Sequence, residues 1–167
     1  VRRIVGTEWA ELRALRLRAL RTDPLAFGST VESDAARDPS HWPALARRGA
    51  EGAEEGVWVA TARTDGFVGM IGGFPDQGTT YVWGMWVDPA YRGTGLGGRL
   101  LDALLDWAVV EQPTRGLRLT VNPAQVSALR MYTDRGFVPT GREEPVWHTP
   151  GLMVREMVRP GRLPRTP

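Results

Sequence analysis

The sequence predicts an α/β (α+β) fold in which a mixed, mainly antiparallel central sheet is flanked by helices, in the order β-α-α-β-β-β-α-β-α-β-β. Three observations carry that expectation. Apolar runs rich in β-branched and aromatic residues follow one another between residues 57 and 87, separated only by turn sequences, as in an antiparallel meander. A glycine-rich turn at 92–98 then opens a helix with one apolar face. The 167 residues are 42% hydrophobic, enough for one core that buries roughly two-thirds of the unfolded surface. One domain is therefore expected over residues 1–158, with the proline-bearing stretch 159–167 as a loosely held tail.

Arg2 to Val5 reads as a short strand, and Gly6 or Thr7 can cap a helix that starts near Glu8 and buries Leu12, Leu15 and Ala19. The arginines at 13, 16, 18 and 21 read as its wet face, and Asp23-Pro24 stops it. Residues 27–30 form a loop, Val31 to about Arg37 a second helical stretch, and Pro39 and Pro43 break up the chain beyond it. Strands are expected at Val57–Ala62, Phe67–Phe74 and Thr79–Val87, with Asp65-Gly66 marking the first hairpin and Pro75 to Gly78 the next turn. After the glycine turn, Leu96, Leu100, Leu101, Leu104, Leu105 and Ala108 share one helix face, opposite Arg99, Asp102 and Asp106. Leu117–Val121 reads as a strand and Pro123–Asp134 as a helix with proline in its first turn. Gly136-Phe137-Val138 opens another strand, and Leu152–Val158 is the last.

Composition narrows the chemistry. There is no cysteine, which excludes disulfides, thiolate metal sites and a cysteine acyl intermediate. All 21 basic residues are arginine, so a Walker-type phosphate loop with its lysine is excluded as well. Against 19 acids the net charge is only +2, and nucleic acid is not the expected partner. Residues 32–56 form the one acidic stretch, with six acids against three arginines, and read as a solvated helix face and loop. No apolar run nears the roughly 18 residues of a membrane span, and no signal-peptide stretch opens the sequence, so a cytoplasmic protein is expected.

Arg92 to Gly98 lies between a strand and an amphipathic helix, where free backbone N–H groups and the positive end of a helix dipole meet: an anion site. Gly93, Gly95 and Gly98 also satisfy G-x-G-x-x-G. A dinucleotide fold fits poorly, because the preceding strands are antiparallel and the next strand ends at Val121-Asn122 with no carboxylate for a ribose.

From about Tyr81 to Thr140 the sequence resembles the GCN5-related N-acetyltransferases. The resemblance rests on three motifs in order: the strand ending Met85-Trp86-Val87-Asp88-Pro89, the signature Arg92-x-x-Gly95-x-Gly97, and Ala128-Leu129-Arg130-Met131-Tyr132 followed by Gly136-Phe137. It implies a GNAT-like sheet and acetyl-CoA as co-substrate, with no metal. By this likeness Arg92, Gly93, Thr94, Gly95, Leu96, Gly97 and Gly98 would hold the pyrophosphate. Backbone at Met85, Trp86 and Val87 would pair with the pantetheine arm, and Tyr132 would lie near the thioester sulfur. Many family members bond pantetheine through an asparagine seven residues before that tyrosine. Here Gln125 holds that place and Asn122 stands three residues earlier, leaving both as candidates.

The family's frequent glutamate on the strand before the turn has no counterpart in Tyr81 to Trp86. An alkylamine with a pKa near ~10.4 is mostly protonated at neutral pH and must lose a proton before it attacks. Glu32, His41, Glu143, Glu144 and His148 are the candidate bases, with Glu32 preferred because the segment after the first helix lines the acceptor side in the family. Each also has an ordinary structural reading: helix-surface charge for Glu32, loop charge for Glu143 and Glu144, a satisfied or solvent-facing ring for the two histidines. Tyr132 also has a core-packing reading, which its place in the family motif outweighs, and Tyr81, Trp83 and Trp86 read as core or sheet-face aromatics. The expected activity is acetyl transfer from acetyl-CoA directly to a primary amine in a ternary complex, and the alternative is a non-catalytic acyl-CoA-binding or sensing module. Partners expected are a small-molecule or peptide amine acceptor, with no nucleic acid and no membrane, and a homodimer left open.

Overall fold

The computed structural model describes residues 1–111 and 116–161. Its elements run β1 (Arg2–Arg3), α1 (Trp9–Thr22), α2 (Val31–Ala35), α3 (His41–Glu51), β2 (Gly56–Ala62), β3 (Gly66–Asp76), β4 (Thr79–Val87), α4 (Leu96–Val110), β5 (Gly116–Val121), α5 (Val126–Thr133), β6 (Val138–Pro145) and β7 (Met153–Pro160), with 3₁₀ turns at Pro24–Ala26 and Pro89–Tyr91. One helix more than expected is present. Pro43 occupies the third position of α3, where a helix leaves its N–H groups unbonded and loses nothing to proline. In α5 the reverse holds: Pro123 lies outside the helix, in a turn closed by the Gln125 N–H donating to the Asn122 carbonyl. The N-cap of α1 is Glu8, neither Gly6 nor Thr7; its carboxylate accepts from the Val5 N–H and pairs with Arg2. Arg159 and Pro160, expected in the tail, belong to β7, and residues 162–167 of that stretch lie outside the described ones.

Seven strands form one sheet in the order β1-β2-β3-β4-β5-β7-β6, antiparallel throughout except for β4 against β5. Helices cover both faces, which is why β2 reads as a continuous apolar run. Val57 and Val59 pack with Leu12, Leu15, Leu20 and Ala46 of α1 and α3, while Trp58 and Ala60 point the other way into Leu100, Leu104 and Trp107 of α4. Among the described residues no helix is long and apolar enough to cross a membrane.

Two departures from a regular sheet position the site. β4 and β5 pair only at Thr80↔Leu117 and Tyr81↔Arg118, so both continue past the pairing as separate edges and the sheet opens between them. Beside this opening β4 carries a bulge: Gly84 and Met85 stand opposite the single residue Ile71, and Gly84 takes φ +67°, a left-handed conformation that favours glycine.

Candidate active site

The opening between β4 and β5 continues into a cleft of about 1420 Å³, larger than the ~300–1,000 Å³ of an ordinary small-molecule pocket. One end is the glycine turn. Gly93 and Gly95 have φ +77° and +76°, and Gly95 caps α4 with no side chain bonded across it. The N–H groups of Leu96, Gly97 and Gly98 consequently have no acceptor among the described residues, and they open on the cleft with the positive end of the α4 dipole. A Cβ built on Gly93 or Gly95 would meet nothing within 4 Å, so both face open space. Arg92 does not reach outward: its Nε donates to the Val87 carbonyl at 3.0 Å and its guanidinium pairs with Asp23. Its visible work is to tie the turn to β4 and to the end of α1.

The cleft wall takes in Met85, Trp86, Val87, Arg92, Gly93, Gly95, Leu96, Gly97, Gly98, Gln125 and Tyr132, but not Thr94, Asn122 or Glu32. Thr94 turns its hydroxyl back to the Tyr91 carbonyl at 2.8 Å. Asn122 is 5% exposed; its Nδ2 donates to the Leu25 carbonyl and its Oδ1 accepts from the Ala124 N–H. Gln125 has no side-chain partner among the described residues and faces the cleft. Tyr132 is 6% exposed, packs edge-on against Phe137, and its hydroxyl likewise has no partner among the described residues. Burial first, and the neighbouring Tyr81 second, push its phenol well above the ordinary value, so it stays protonated and can donate.

The other end of the cleft is built by side chains distant in sequence. Arg16 is 9% exposed, contrary to the expected wet face; its Nε donates to Asp34 Oδ2 at 2.9 Å, its Nη2 donates to Ser29 Oγ at 2.8 Å, and its guanidinium lies 4.4 Å above the Phe27 ring. Asp34 is also buried, contrary to the expected solvated acidic stretch, and its Oδ1 accepts from Arg37 Nε. Arg18 is half-buried, donating to the Phe67 carbonyl and pairing with Asp88.

Of the five candidate bases, His41 alone lines the cleft. Burial, then Arg37 and Arg48, lower its pKa against the opposing pull of Asp34, so the ring is neutral at pH 7. Glu32 is exposed on α2, and Asp34, two positions on, is the acid that lines the cleft. Glu143 and Glu144 are exposed on β6, a strand where a loop was expected, with Glu143 3.6 Å from Arg155. His148 is engaged at both nitrogens. Because a carbonyl only accepts, Nε2–H donates to the Phe27 carbonyl, and Nδ1 then accepts from Thr149. Among the described residues no group of three or more His, Cys, Asp or Glu side chains could hold a metal ion.

A family model described as Acetyltransferase (GNAT) family matches residues 13–137. The L-2,4-diaminobutyric acid acetyltransferase of Streptomyces coelicolor is 38% identical over 69 residues, 40% of this chain and 41% of that protein. Matches to such relatives span less than half of their length. Among solved structures, an acetyltransferase of the GNAT family from Streptococcus pneumoniae superposes with a TM-score of 0.82 at 21% identity, covering 96% of this chain and 98% of that one. YncA of Salmonella typhimurium, solved with its cofactor acetyl-CoA, gives 0.76 at 19% identity, covering 99% and 95%.

Proposed function

Since the chain belongs to the GNAT family of acetyltransferases, we propose that it moves the acetyl group of acetyl-CoA directly to a primary amine, both substrates sharing the cleft. The observation that carries this reading is the left-handed glycine turn at the start of α4, whose free N–H groups open on the same cleft as Tyr132 and the unpaired edge of β4. Phosphate oxygens fit those N–H groups, and the edge of β4 past Tyr81 can take an extended amide chain as an added strand. Gln125 is the side chain free to bond that chain, because it lines the cleft without a partner among the described residues, whereas Asn122 lies outside the cleft wall and bonds Leu25 and Ala124.

In the transfer the amine, having given its ammonium proton to solvent, bonds through its neutral nitrogen to the thioester carbon, the carbon–sulfur bond breaks, and the sulfur leaves as thiolate, so that one more proton must leave the nitrogen. The nitrogen sheds its proton to His41, which it can do readily once its lone pair is committed to carbon. Tyr132 donates a hydrogen bond to the departing sulfur; its raised pKa makes it a donor rather than a full proton source. With neither cysteine nor lysine in the chain, direct attack is preferred over an acyl-enzyme, and positioning supplies much of the rate.

Acetyl-CoA at a hundredfold excess over its Kd should stabilise the protein by about 2.7 kcal/mol in thermal melts. Gly95→Ala and Gly95→Glu both bear the roughly 1–2 kcal/mol of a left-handed non-glycine residue, and both have room for the Cβ. Only the carboxylate also opposes the phosphates. Ala is therefore expected to keep the acetyl-CoA shift and Glu to lose it; a full shift in Gly95→Glu would put the phosphates elsewhere.

A further inference from the structure

We propose that the amine accepted here carries a carboxylate of its own, as an amino acid does, and that Arg16 and Arg37 bind it; the inference rests on the acetyl transfer proposed above, with the half of the cleft that holds Arg16, Arg37 and His41 as its acceptor half.

Every acid lining that half is already occupied. Asp34 is held by Arg16 and Arg37, Glu55 by Arg48, and Asp23 by Trp86 and Arg92. The donors are in surplus. Arg16 Nη1 is buried without an acceptor among the described residues, and so is Nε1 of Trp42, the neighbour of His41 in the cleft wall. Arg37 commits only its Nε, to Asp34, and leaves its two terminal nitrogens without a partner among the described residues. The group Arg16–Asp34–Arg37 therefore carries one net positive charge that arginine cannot shed by losing a proton.

Space exists in front of it. The bulge at Gly84 leaves no side chain there, and a Cβ built on it would find only Arg16 Nη1, 3.9 Å away, within 4 Å. A ligand carboxylate satisfies buried N–H groups with charge-assisted bonds, and a guanidinium fork matches its geometry. A polyamine or a lysine side chain would instead bring a second cation to a net positive wall with no free carboxylate to receive it.

The test needs no transfer. The protein saturated with CoA is titrated calorimetrically with L-amino acids of acidic, basic and apolar side chain, and with the primary amide of each. At least one acid should bind ten or more times more tightly than its own amide. Arg37→Gln, an exposed position, should bring that pair to near equality and leave the CoA melting shift unchanged. Arg16→Lys, which retains a charge for Asp34, should reduce the preference in the same direction. Equal binding of acid and amide in every pair, no binding by any of them, or an undiminished preference in Arg37→Gln would overturn the proposal. A retained preference in a protein that transfers no acetyl group would count against the acetyltransferase reading and not against this one.

Discussion

His41 shows what burial does to a single residue's chemistry. Its imidazole resists protonation because desolvation and the charges of Arg37 and Arg48 outweigh Asp34, so its folded pKa lies below the ~6.5 of a free histidine. As pH falls below ~6.5 the unfolded chain takes up that proton first, and stability falls with pH until the folded pKa is passed. Activity should behave in the same window: kcat for the best acceptor declines only below ~6.5, and His41→Gln lowers it by at least about a hundredfold and removes that limb. A pH–rate profile with the limb intact in the variant would move the proton acceptor to another group. His41 was legible as a candidate from its residue type, but Arg16 was not. It stands among arginines that alternate with leucines on α1, and its partner Asp34 is 18 residues away on another helix, a pairing that periodicity cannot carry.

At the scale of elements, the glycine turn and α4 were readable because one short run of consecutive residues makes the whole device. The helix α3 was not: two prolines within five residues read as breakers, and only the start of the helix at His41 turns Pro43 into a tolerated first-turn residue. The bulge in β4 was equally silent, since Gly84 in a strand marks a bulge only once its partner strand is known. Gly84→Ala should cost about 1–2 kcal/mol in urea unfolding, the strain of a left-handed alanine, with the sheet retained in circular dichroism. A variant as stable as the parent would mean that the bulge relaxes without strain.

For the whole molecule, an antiparallel sheet with helices on both faces was legible from apolar patterning, because that pattern reports which faces are covered. Where the sheet opens was not. The parting of β4 from β5 depends on how few rungs they share, and no residue in either strand announces it. The same long-range assembly builds the end of the cleft where we place the amine. Trp147 is 70% exposed yet donates Nε1–H to the Gly28 carbonyl at 2.7 Å across 119 residues, while His148 holds the adjacent Phe27 carbonyl. The loop between β6 and β7 thus fastens the segment that leads into α2 through two hydrogen bonds that involve no residue of the glycine turn. If that fastening slackens, the thioester stays anchored while the amine loses its seat, and water becomes the competing nucleophile. Trp147→Phe keeps an aromatic ring and removes the N–H, a loss of roughly 1 kcal/mol or about fivefold in the amine KM. The sharper reading is stoichiometric: thiol released per amine acetylated should rise above one in the variant, and a ratio that stays at one would make the fastening a matter of folding alone.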